Sequence, residues 1–325
     1  MPRSRRTLAF VALCAASLLA AVAFVASAAL GGGADGGTAT AAAGRPGEIL
    51  FRSRDASDPK GNGRIASVPA ARASGARRST GRRCERAYYT RTRGLCLAPR
   101  GSFLLTYVAE ILGTGPELRR TVRLSGFPSR ARISPDGRLG AVTTFVQGHS
   151  YAAEGAFSTR TVLIDMERGA ELAELEQFAV ERDGERIRAE DVNFWGVTFA
   201  EDSNRFFATL ATGGSTYLIE GDVAARTATV RHENVECPSL SPDGTRIAYK
   251  KLVERPGVWR LHVLDLATMR ETPLAETRSV DDQVEWLDDG RVLYGTENDV
   301  WTVPADGGGK PSVLIPEADS PAVIR

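Results

Sequence analysis

The sequence predicts an all-β fold, a six-bladed β-propeller closed by strand exchange, preceded by an N-terminal signal or anchor helix. Three observations predict it. A four-residue turn word recurs along the chain, short apolar strands of period two flank each copy, and the C-terminus matches an inner strand that the first blade lacks.

The words Ser134-Pro135-Asp136-Gly137 and Ser241-Pro242-Asp243-Gly244 are identical. Leu287-Asp288-Asp289-Gly290, Ala200-Glu201-Asp202-Ser203 and Ala98-Pro99-Arg100-Gly101 are degenerate copies. Pro presets the first turn dihedral, Asp bonds its local backbone, and Gly takes the left-handed position that closes a tight hairpin. The words start at 98, 134, 200, 241 and 287, so they are separated by 36, 66, 41 and 46 residues. A period of about 40–45 residues with four strands per unit is the mark of a propeller blade. The long spacing holds a polar insertion, Glu181–Asp191, read as a surface excursion. Third strands and polar ends follow each hairpin, as in Arg260–Asp265 and Val300–Asp306.

Closure follows from the two ends of this body. Glu48–Arg54 and Arg64–Ala70 read as second and third strands without a first. Asp319-Ser320-Pro321-Ala322-Val323 aligns with the inner strand Glu236-Cys237-Pro238-Ser239-Leu240, so the C-terminus is expected to supply the missing strand of blade one. Such closure removes exposed strand edges.

Ahead of the blades, Arg3, Arg5 and Arg6 precede an uncharged apolar run from Leu8 to Leu30. As a helix the run spans roughly 34 Å, enough to cross a bilayer core. Its length favours a retained anchor; Ala26-Ser27-Ala28 fits a cleavable signal, and both readings stay open. Positive charge before the run directs the rest of the chain outward. Ser4-Arg5-Arg6-Thr7-Leu8 resembles a twin-arginine export motif, with Leu8 in place of the usual Phe. The predicted domains are therefore 1–30, signal peptide or membrane anchor; 31–46, a flexible Gly/Ala-rich linker; and 47–325, the propeller.

Composition agrees with a globular body. The 325 residues are 42% hydrophobic and 25% charged, with formal net charge +1, which excludes a disordered chain and a multi-span membrane protein. The charge is unevenly placed. Residues 31–140 carry twenty basic and eight acidic side chains, and residues beyond 140 carry eighteen basic and thirty-two acidic. One part of the ring is thus basic and the other acidic, read either as solvated surface or as a dipole that orients a partner.

The SPDG words, with the following Arg246-Ile247-Ala248-Tyr249 and Leu261–Leu266, resemble the WD40-like Asp repeats (PD40) of TolB-like six-bladed β-propellers. Segments 188–200, 232–244 and 276–283 are similar to those of exported TolB-like proteins of high-GC Gram-positive bacteria. The resemblance implies a propeller used for binding. The chain departs from TolB in having only the spacer between its apolar segment and the blades, where TolB carries an α/β domain.

Candidate site residues come from aligning the inner strands. Five residues before the words stand Arg93, Ser129, Trp195, Glu236 and Asp282, and the C-terminal alignment adds Asp319. Inner strands line the central channel. Glu236, Asp282, Asp319 and Arg93 are therefore expected at its mouth, as a site for a cation or a basic peptide group or as water-filled lining, with Asp281 and Asn193 as weaker neighbours. Cys84 and Cys96 flank a short hairpin and are the disulfide candidates of an exported chain; Cys237 is left over as a small apolar residue. Enzyme motifs are scarce. Gly148-His149-Ser150-Tyr151-Ala152 lacks the helix that a nucleophile elbow needs. The three His have no ligand spacing, so no cofactor is expected beyond a channel-bound calcium that nothing in the sequence supports. The Arg cluster from Arg72 to Arg93 suits a solvated loop, or contact with anionic lipid or an envelope polymer, and nucleic acid is not expected of an exported chain.

The expected function is a non-catalytic, extracytoplasmic module of the cell envelope that binds a protein, peptide or ligand. It is expected to be a monomer, membrane-bound through its N-terminus or secreted. The alternative is a propeller enzyme with a channel-mouth site, a metal-assisted lyase or hydrolase.

Overall fold

Turn chemistry sets the blades. In the first SPDG word the Ser134 hydroxyl donates to Asp136 (2.6 Å) and accepts from the Leu139 amide (2.9 Å), while the Gly137 amide closes on the Ser134 carbonyl. Gly137 has φ of 75°, which a side chain would resist. The second word repeats these bonds with Ser241, Asp243, Gly244 and Arg246. The words also join neighbouring blades, since Asp136 N donates to Ser203 and Asp243 N donates to Asp289.

The computed structural model describes residues 44–101, 105–113, 115, 117–147 and 157–325. They form six sheets, the blades of a propeller, each with a four-stranded antiparallel core. Blade one is β26 (Ala318–Val323), β1 (Glu48–Ser53), β2 (Arg64–Pro69) and β3 (Arg78–Arg83). Blade two is β4 (Arg86–Tyr89), β5 (Gly94–Arg100), β6 (Thr106–Leu112) and β7 (Leu118–Leu124). Blade three is β8 (Phe127–Ile133), β9 (Leu139–Gln147), β10 (Ser158–Asp165) and β11 (Ala170–Glu174). Blade four begins with β14 (Asn193–Phe199), β15 (Arg205–Thr212), β16 (Ser215–Asp222) and β17 (Thr227–Glu233). Blade five is β18 (Glu236–Leu240), β19 (Arg246–Glu254), β20 (Val258–Asp265) and β21 (Glu271–Pro273). Blade six is β22 (Glu285–Asp288), β23 (Arg291–Thr296), β24 (Asp299–Pro304) and β25 (Ser312–Ile315).

The last strand closes the ring. β26 pairs antiparallel with β1, with Ile49 opposite Val323 and Arg52 opposite Asp319. The insertion after blade three is structured rather than loose. Its strands β12 (Ala179–Arg182) and β13 (Glu185–Arg186) extend blade four, β12 lying parallel to β17. Branched and aromatic residues fill the space between sheets, among them Phe194, Phe206, Tyr249, Trp286 and Tyr294. Cys84 and Cys96 form a disulfide with Cα atoms 5.5 Å apart, tying the link between blades one and two to β5. Cys237 is buried and free.

Blade two corrects one alignment. Ala98-Pro99-Arg100-Gly101 lies at the turn from β5 to β6, between second and third strands, and not at the innermost hairpin. The innermost hairpin is β4–β5, closed by Thr90–Arg93. There the Thr90 hydroxyl accepts from the amides of Thr92 (3.4 Å) and Arg93 (3.2 Å), doing the work that Ser and Asp do in the other words.

Among the described residues no helix is long and apolar enough to cross a membrane. The segment 1–30, most of the spacer 31–46 and the Gly148–Ala152 motif lie outside the described residues.

Candidate functional site

The inner strands of three blades carry a common irregularity. Gly196, Cys237 and Ser320 each have positive φ, of 66°, 49° and 53°, and each follows the aligned position Trp195, Glu236 or Asp319. Register shifts fall at the same places, between Trp195 and Thr198, between Glu236 and Ser239, and opposite β26 between Leu50 and Arg52. These are β-bulges, which turn a strand and re-aim its side chains. At Gly196 only glycine fits, because an added Cβ would lie 2.6 Å from the Cα of Cys237.

The mouth side chains do not converge. Asp319 receives the Arg52 guanidinium at 2.8 Å through both oxygens, and the same guanidinium reaches Glu85 at 2.9 Å. Asp282 accepts from the backbone amides of Gly295 and Gln283, both at 2.9 Å. Glu236 is buried; it accepts from the Trp259 indole (2.8 Å) and lies 3.6 Å from the Lys250 ammonium. Arg93 is not with them. It sits in the β4–β5 turn, at the opposite end of the inner strand, and pairs with Glu167 at 3.3 Å. With Thr90–Arg93 taken as the blade-two word, 44 residues before Ser134, the position five before it is Glu85. The mouth therefore holds a carboxylate there and no Arg. Asn193, the weaker neighbour, bonds the Thr159 amide (2.8 Å) and the Asp191 carbonyl (3.0 Å).

Below the mouth the axis is bridged. Blades three and six face each other, and Arg132 spans them, donating to the Val284 carbonyl (2.9 Å) and pairing with Glu285 (3.1 Å). Arg325 holds the other oxygen of Glu285 at 2.7 Å. Arg130 stands 3.8 Å from Asp281, which also takes the ammonium of Lys250. Gln283 donates to the carbonyls of Pro238 (2.9 Å) and Val197 (3.3 Å). Arg86 donates to the Ser129 carbonyl (2.8 Å) and the Ser320 hydroxyl (3.0 Å). Burial raises the Asp281 pKa, but the charges of Lys250 and Arg130 outweigh it and hold this carboxyl below its usual range. Burial, and then the nearby Arg130 charge, lower the Arg86 pKa. The space left among Arg86, Arg130, Arg132, Asp282, Gln283 and Ser320 is about 30 Å³. A polypeptide passing between blades three and six would have to break the Arg132 bonds. Part of the charge division in the sequence is thus internal, basic groups of blades two and three meeting acidic groups around blade six.

The open site lies off the axis, between blades four and five. It is a cleft of about 670 Å³. Trp195, Trp259 and Glu236 form its floor, and Phe157, Leu252 and Val253 line its walls. Edge-to-face contacts from Phe145 to Phe157 (6.1 Å) and Phe157 to Trp195 (5.6 Å) fix one wall. Lys250 lies fully buried beneath the floor, its ammonium 4.0 Å from the Trp259 ring centroid. Asp191, Glu233 and Glu254 stand around the rim with Arg255, which reaches across to the Gly214 carbonyl at 2.7 Å. Of this cleft the inner-strand alignment found Trp195, Asn193 and Glu236. The remaining residues come from strand ends and connections of blades three, four and five, and only the acidic excess beyond residue 140 hinted at them. Among the described residues, no group of three or more His, Cys, Asp and Glu side chains is arranged to hold a metal ion.

No family model and no curated protein matches the chain. Its fold matches solved propellers. It is similar to TolB from Acinetobacter baumannii, at 15% identity and TM-score 0.59, over 86% of this chain and 67% of that one. It is also similar to a chain of a nidogen/laminin complex, at 9% identity and TM-score 0.55, over 85% and 97% respectively. At such identities the likeness shows the fold: this is a six-bladed β-propeller.

Proposed function

We propose that the protein is a TolB-like, non-catalytic propeller of the cell envelope that binds a protein or peptide at its mouth face. One observation carries the reading. The mouth carboxylates are each engaged by a cation, an indole or an amide of the chain itself, whereas among the described residues the cleft between blades four and five is lined but not filled. A metal-assisted lyase or hydrolase would need carboxylates gathered on one point. Here Asp319 and Glu85 share Arg52, while Glu236 and Asp282 are held separately by their own partners. The resemblance of the repeat words to TolB-like propellers supports the binding role, and the basic, apolar N-terminus supports an extracytoplasmic place, anchored or released.

The test is affinity capture of the full chain from cross-linked, solubilised membranes. The reading expects a stoichiometric envelope partner. Turnover of envelope peptides or glycans by the purified chain, lost on chelation, would replace it with the enzymatic one.

A further inference from the structure

We infer that the cleft between blades four and five receives a long cationic side chain, a lysine or arginine of a partner peptide. This inference rests on the binding role proposed above. The walls suit the stem of such a side chain. Leu252 and Phe157 are half-buried and Val253 is exposed, giving the apolar surface along which Lys and Arg lay their methylenes. The rim suits its tip. Asp191, Glu233 and Glu254 outnumber Arg255, and each rim carboxylate is exposed. Hydrogen bonds from Thr212 and then the Gly213 amide hold the Asp191 pKa down, so that group stays ionised. Glu254 has no ion-pair partner among the described residues, and Glu233 shares its charge with Arg182 at 2.5 Å.

The cleft is poorly equipped for a neutral sugar. Sugar recognition needs directional donors and acceptors, and the two amides here are used internally. Asn234 bonds both the amide and the carbonyl of Leu252, at 3.0 and 2.9 Å, and Asn193 bonds Thr159 and Asp191. Thr212, Ser215, Thr216 and Arg255 also line the cleft, and the net charge on offer above its apolar slot is negative. The floor already carries an internal version of the arrangement, the Lys250 ammonium beside Trp259 and Glu236. That pairing satisfies Glu236 from below; on the rim, Thr212 and Gly213 hold Asp191 and Arg182 holds Glu233, so Glu254 is the carboxylate left for a ligand, with the charges of the other two beside it.

The experiment titrates the full chain with end-capped Gly-Gly-Arg-Gly-Gly and its Lys and Glu counterparts, following tryptophan fluorescence. The Arg and Lys peptides are expected to bind saturably, more weakly as salt rises, and the Glu peptide not to bind. Asp191→Asn with Glu254→Gln should weaken the cationic peptides about fivefold, and Glu254→Arg alone should do at least as much. Equal binding of the Glu peptide, tighter binding of a neutral oligosaccharide, or unchanged affinity in folded variants would each overturn the inference. Envelope capture by the Asp191→Asn, Glu254→Gln chain separates the two levels. Capture that persists at full strength leaves the binding role standing and removes the cleft from it, whereas no capture by the wild-type chain removes the binding role itself.

Discussion

Removing the ammonium of Lys250 tests the internal charge network. This side chain has no solvent exposure, lies 4.0 Å from the Trp259 ring centroid and 3.6 Å from Glu236, and pairs with Asp281. Lys250→Met keeps most of the volume and deletes the charge, leaving two carboxylates without their shared cation. Asp281 is 40% exposed and keeps Arg130, and Glu236 keeps the Trp259 indole, so the loss should be near the lower bound for a buried pair, about 3 kcal/mol. With an unfolding entropy of about 2.1 cal/mol/K per residue over roughly 280 residues, the melting temperature should fall by about 5 °C. The direction with pH is also fixed. Burial raises the Asp281 pKa, and Lys250 is the largest of the charges that outweigh it. Without Lys250, protonation relieves the site, so the deficit should be smaller at pH 5 than at pH 8. Calorimetry of both chains at the two pH values measures it. A melting temperature within about 1 °C of wild type at pH 8 would refute the network as a source of stability.

Two further substitutions probe particular positions. Gly196→Ala should destabilise the ring by more than about 1 kcal/mol, because it places a Cβ 2.6 Å from the Cα of Cys237 at φ of 66°, as denaturant titration would read. Glu176, which accepts the amides of Thr161 and Phe194, has its pKa pushed up by burial to about 7. A carboxyl raised in the folded state stabilises below its unfolded value, and that contribution is lost as pH rises through about 7. Glu176→Gln should therefore flatten the pH dependence of stability between pH 5 and 8, by at most about 3 kcal/mol, and an unchanged slope in denaturant titrations would contradict it.

Local chemistry was legible in the sequence, and long-range contact was not. Ser134 and Asp136 bond within five residues, so their word announces its hairpin. Thr90–Arg93 builds the same hairpin with a threonine hydroxyl in place of Ser and Asp, which is why blade two was aligned one strand too far along and Arg93 was placed where Glu85 stands. Closure was legible because Asp319–Val323 matches Glu236–Leu240 position for position, with Pro321 at the place of Pro238; the structure adds that Ser320 and Cys237 are both left-handed. The bridge across the axis was not, because Arg132 and Val284 lie 152 residues apart and no local pattern marks either. The cleft was half visible. Trp195 and Glu236 are inner-strand positions, but Glu254 ends the second strand of blade five and Asp191 lies in the connection entering blade four, and no repeated word relates the two.

Photo-crosslinking in cells tests the central claim most directly, that partners are met at the cleft between blades four and five. A crosslinking residue is introduced at Val253, 51% exposed on the cleft wall, and in a second chain at Leu118, 48% exposed on the outer strand of blade two. The account predicts a discrete adduct from position 253, abolished by Asp191→Asn with Glu254→Gln, and none from position 118. An adduct from position 118 alone, or equal adducts from both, would contradict it.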